Sequence, residues 1–180
     1  YALRSTPPAP PSCDAHDEVW APRRDNVDGA LRRVRSPYAT ETAERVVGGM
    51  DQHAAALAAA DRGACLAHEH GELTDALFDR AAACLDRQRA SLGAAVTVLA
   101  STTATSLDHA AEVVAALPSP EPCTDRAKLA SDVAVPDTLA ERASVAVVRD
   151  HLSAAAALRP AHRNAAAHAA IQQALVGIVS

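Results

Sequence analysis

Between Ala64 and Gln88 the chain reads ACLAHEHGELTDALFDRAAACLDRQ, two helical patterns joined at Gly71, each carrying one cysteine. Such a hairpin leaves few architectures open. Apolar residues recur at helical spacing on both sides of the turn, and a glycine readily takes the left-handed conformation on which helices commonly end. Thr74 suits the N-cap of the second helix, and Asp75 complements the helix dipole. The same stretch holds no nucleophile-and-base pair, no glycine-rich phosphate cradle and no tight ligand spacing. It therefore points to a presented surface and away from catalysis.

The rest of the chain is punctuated by proline. Residues 1–12, YALRSTPPAPPS, are expected to form a Pro-rich linker, because Pro7, Pro8, Pro10 and Pro11 block helix and favour an extended tether. Asp14 to Trp20 reads as one short turn or helix, and Pro22 suits the first turn of a segment reaching about Arg35. A long helix is predicted from Ala39 to His70, with Ala43, Val46, Val47, Met50, Ala54, Leu57, Ala58 and Cys65 on its buried stripe. Gly48-Gly49 is expected to loosen its middle. The next helix runs to about Ser101 and buries Leu77, Ala81, Cys84, Leu85, Leu92, Val96 and Leu99. Short helices follow at 107–117 and 124–131, each ended by a polar or Pro-rich break, and helices at 137–158 and 161–179 close the chain. Residues 13–135 thus read as a helical module with four cysteines, and 136–180 as a helix hairpin. The expected class is all-α, an array of antiparallel hairpins.

Aromatic residues make up only 2% of a chain that is 49% hydrophobic, so the core rests on Ala, Leu and Val. Helices with small side chains approach closely but gain little burial per residue, which raises the value of covalent staples. Cys13, Cys65, Cys84 and Cys123 are even in number and widely spaced. Two disulfides are preferred over four buried thiols, and a bridge over about 20 residues contributes about 3 kcal/mol. The pairing favoured here is Cys65 with Cys84 and Cys13 with Cys123, although the helix offset around Gly71 strains the first. Zinc is the minor option, since no two cysteines form a CxxC pair.

Other chemistry is sparse. A net charge of −5 with Arg interleaved among Asp and Glu argues against nucleic-acid binding, and no apolar run is long enough to span a membrane. Among the eight histidines, His68-Glu69-His70 is densest. Side chains two apart on a helix diverge by about 200°, so this group reads as a solvated helix end and not a metal site. The hydroxyls of Ser101 to Ser106 read as caps and breakers. No catalytic residue, metal or cofactor is expected. The last hairpin offers Ile171, Leu175, Val176 and Ile178 as a partly exposed edge for a protein or peptide partner.

The order of several segments resembles a known family. Cys13, then EVWAPRRDNVDGAL (18–31), SPYATETAERV (36–46), GACLAHEHGELTDALFDRAAACLDRQ (63–88), AAEVVAALPSPEPCTD (110–125) and a helix pair after Pro136 resemble the region between the kinase domain and the tetratricopeptide repeats of bacterial, especially myxobacterial, serine/threonine kinases. Trp20 and all four cysteines match; Ala43, His53 and Leu57 stand where the family carries large aromatics, and Ala81 where it carries Arg. The resemblance implies a disulfide-stapled, extracytoplasmic sensor or scaffold segment. Its parent chain would be membrane-anchored outside these residues, and the C-terminal hairpin would start a tetratricopeptide-like repeat array. The kinase lobes are absent, with no glycine-rich loop, HRD or DFG. Two other readings stand beside this one: a cytoplasmic repeat-type adaptor that binds a peptide, and a small helical metal-dependent hydrolase.

Overall fold

The structure is a computed structural model that describes residues 13–14, 18–131, 136 and 138–179, with side chains as far as 177. The Pro-rich segment 1–12 and residues 15–17 of the turn expected at 14–20 lie outside the described residues. All regular elements among the described residues are helical, so the protein is all-α. A 3₁₀ turn at Ala21–Arg23, with Pro22 in its first positions, leads into α1 (Arg24–Arg32). The two long helices are α2 (Ala39–Glu69) and α3 (Asp75–Ala100). Short elements follow as α4 (Ala110–Ala115) and α5 (Arg126–Ser131), each preceded by a 3₁₀ turn. The chain closes with α6 (Leu139–Leu158) and α7 (Asn164–Val179).

Local chemistry sets these limits. Gly71 ends α2 with φ +70°, and the Thr74 hydroxyl accepts the Leu77 N–H to start α3. Asp125 Oδ1 accepts the N–H groups of Ala127 and Lys128 at the start of α5, which holds its carboxyl below the usual range. Thr138 and Glu141 form a reciprocal capping box on α6.

α1, α2 and α3 pack on one another; α4 lies on α2, while α5 and α6 lie on α3. Trp20, Leu31, Met50, Leu85, Leu92, Leu99, Leu107 and Leu129 fill the space between them. α2 stays helical through Gly48-Gly49, contrary to the expected loosening. The reason is contact: a Cβ on Gly49 would stand 2.8 Å from Val114 Cγ1, so the missing side chain seats α4, while Gly48 faces open space.

The disulfides are not the pairs predicted. Cys13 bonds Cys65, and Cys84 bonds Cys123, with Cα separations of 5.7 and 5.4 Å. Cys65 lies six residues before Gly71 and Cys84 thirteen after it. At a rise of about 1.5 Å per residue their levels along the hairpin differ by about 10 Å, beyond the reach of a disulfide. Each long helix is instead stapled to a flanking segment. Cys13 is tied to α2, and Cys123, in the 3₁₀ turn Glu121–Cys123, is tied to α3.

Candidate functional site

The C-terminal hairpin turns its pattern inside out. Among its described residues the buried ones are Ala155, Ala157, Ala161, Ala167, Ala170 and Ala174, every one an alanine. Several of its larger aliphatic residues are exposed, Leu139 by 81%, Val176 by 70%, Leu175 by 51% and Ile171 by 37%, while Leu158 packs against the core and Val145 and Val148 are half-buried. Alanine lets α7 lie close against α6, as does Gly177, where an added Cβ would come within 3.2 Å of Val148. The cost is that Leu139, Leu175 and Val176 leave about half or more of their surface in water. α7 contains no Asp, Glu, Lys or Arg, and its exposed polar side chains are those of Asn164, His168, Gln172 and Gln173. Of the edge residues expected from sequence, Ile171, Leu175 and Val176 share this surface, whereas the side chain of Ile178 lies outside the described residues.

The hairpin meets the core at two places. α6 packs along α3, leaving a cleft of about 380 Å³ lined by small residues of α3, among them Ala90, Gly93 and Ala94, and by Asp150, Ala154 and Leu158 of α6. At the α6–α7 turn, Arg163 Nη1 donates to Ser101 Oγ at 2.8 Å. A polar cavity of about 540 Å³ opens beside that bond, lined by Thr103, Thr105, Ser106, His109 and His162.

Sequence reasoning missed the residues at this turn. The imidazoles of His109 and His162 stack with centroids 3.8 Å apart and planes 19° from parallel. His109 Nδ1 stands 3.3 Å from Glu112 Oε1. His162 has φ +55°, a conformation that favours glycine. Its N–H donates to Arg159 O and the Arg163 N–H to Leu158 O, the bond pattern of a helix ending in a Schellman turn. His109 and His162 are 53 positions apart in the chain, so only the fold joins them. The one available signal was the predicted hairpin after Pro136, whose turn had to lie against something.

The histidine group singled out from sequence does something else. His68 stacks on Phe78 and its Nε2 lies 3.0 Å from Asp75 Oδ1, closing the α2–α3 turn. Apart from the Arg163–Ser101 bond, the hydroxyls of 101–106 bond main-chain groups and one another, with Thr103 N–H donating to Ser106 Oγ and Thr102 Oγ1 donating to Leu99 O. Among the described residues none of these hydroxyls bonds a histidine.

Compared with known proteins, the chain matches no family model, no curated protein and no solved structure. Two cystines fit an oxidising, extracytoplasmic environment, and no helix among the described residues is long and apolar enough to cross a membrane.

Proposed function

We propose that this chain is a non-catalytic interaction module, the extracytoplasmic sensor or scaffold segment of a transmembrane serine/threonine kinase, and that its C-terminal hairpin docks an apolar helix of a partner protein. One observation carries the docking reading. A hairpin whose fully buried residues, among those described, are all alanine and which leaves Leu139, Ile171, Leu175 and Val176 exposed is suited to receive a second layer. An α7 without Asp, Glu, Lys or Arg favours an apolar helix face as occupant over an acidic or basic peptide. An antiparallel pair such as α6–α7 is the kind of unit on which a tetratricopeptide-like array can be continued, and two disulfides favour the extracytoplasmic reading over a cytoplasmic adaptor. The kinase link rests on the sequence resemblance alone.

The experiment is sedimentation of the disulfide-bonded chain and of an Ile171→Glu, Leu175→Glu double variant. The wild type is expected to self-associate through the exposed face and the variant to sediment as a folded monomer. Global unfolding of the variant would show these residues to be ordinary core and end the docking reading. Calorimetry with Mg-ATP is expected to give no saturable heat, and a binding isotherm would contradict the non-catalytic assignment.

A further inference from the structure

We propose that His109, Glu112 and His162 bind a divalent transition-metal ion, with Zn²⁺ as the type, and that the ion pins the C-terminal hairpin to the disulfide-stapled core. One nitrogen of each imidazole and one oxygen of the carboxylate all lie within 4.8 Å of one another. Two of the three donors already stand at a ligand spacing. His109 and Glu112 are three residues apart, on one face of the turn that opens α4, and the 3.3 Å between Nδ1 and Oε1 equals the donor–donor edge of a tetrahedral ion with bonds of about 2.05 Å.

The third donor comes from the other unit. His162 is exposed, so its ring can turn out of the stack to aim a nitrogen at the same point while its backbone stays put. Two nitrogens and one oxygen select Zn²⁺, Cu²⁺, Ni²⁺ or Co²⁺ over Ca²⁺ and Mg²⁺, which take oxygen alone. The four cysteines offer no rival thiolate site because all are in disulfides. The adjoining cavity leaves room for water to complete the coordination sphere. The position of His162 also sharpens the case. A residue with a Cβ in the left-handed turn costs about 1 kcal/mol relative to glycine, and what the chain obtains there is an imidazole facing His109.

The ligands belong to two packing units, so binding adds a link that neither unit holds alone. An ion bound only by the folded arrangement raises the melting temperature by mass action. The test uses the oxidised full chain with ZnCl₂ alone, read by calorimetry and thermal melting, and with CoCl₂ read by visible absorption. Wild type is expected to bind one ion saturably, to melt at a higher temperature with Zn²⁺ and to give the intense bands of four-coordinate cobalt. His162→Gly suits the left-handed turn, so it should melt no lower than wild type without metal and yet bind Zn²⁺ at least about tenfold more weakly. Glu112→Gln should weaken binding similarly. Absence of saturable binding in wild type overturns the proposal, as does undiminished binding by His162→Gly, which would place the ion on other histidines.

Discussion

Trp20 is 2% exposed and is the largest side chain in a core made mainly of Ala, Leu and Val. Its indole N–H donates to Asp51 Oδ1 at 2.6 Å, and the Arg24 guanidinium grips the same carboxylate through both oxygens at 3.0 Å. One α2 residue thereby fixes the chain that leads into α1. Trp20→Ala is expected to lower stability by about 3–5 kcal/mol in urea unfolding, the range for deleting a buried aromatic. The Arg24 hydrogen bond, helped by that of Trp20, holds the Asp51 carboxyl below its ordinary value. A depressed carboxylate stabilises the fold fully above the unfolded value of about 3.9 and loses that contribution as pH falls through the folded one. His53 acts in a higher window. Its Nε2 is buried without a hydrogen-bond partner, and burial pushes the imidazole below its ordinary value. The native state then holds fewer protons than the unfolded chain, so stability is complete above about pH 6.5 and declines as pH falls below it. His53→Leu should flatten the stability slope between about pH 7 and pH 5; equal slopes in the two proteins would refute this role. Sequence placed Trp20 and His53 on helical patterns, but the Trp20–Asp51 bond spans 31 positions and had no local sign.

At the scale of elements, two adjacent glycines in one helix have opposite duties. Gly48→Ala meets nothing within 4 Å and should stabilise α2 by about 0.5–1 kcal/mol through helix propensity. Gly49→Ala drives a methyl against Val114 and should cost about 1–3 kcal/mol as α4 is displaced. Comparing the melts of the two variants separates seat from linker, and matching shifts would contradict the assignment. Thr138→Ala should remove about 1 kcal/mol from the first turn of α6, seen as faster amide exchange there with α2 and α3 unchanged. Helix existence was legible because periodicity and capping are local: Thr74, Gly71 and Pro22 act where the sequence shows them. The role of Gly49 was not legible, because it depends on a helix about sixty residues away.

Across the whole molecule, both covalent links fall within residues 13–123, while the C-terminal hairpin is held to that part by packing and hydrogen bonds, with no disulfide. A peptide map without reductant should recover Cys13 linked to Cys65 and Cys84 linked to Cys123, and a Cys65–Cys84 peptide would refute the arrangement. Loop-closure entropy over 52 and 39 residues gives each bridge about 4 kcal/mol, so a Cys84→Ala, Cys123→Ala chain should unfold at markedly lower denaturant concentration. The all-α class and the presence of staples could be read from composition, but their connectivity required the axial levels of residues on packed helices. The two cystine rings follow one another along the chain without overlapping, and α6 and α7 lie outside both. A chain pulled from its ends would therefore behave as two closed beads on a string. The rings would withhold about 180 Å and about 130 Å of contour at about 3.4 Å per residue, while the alanine-packed hairpin peels away with no covalent stop.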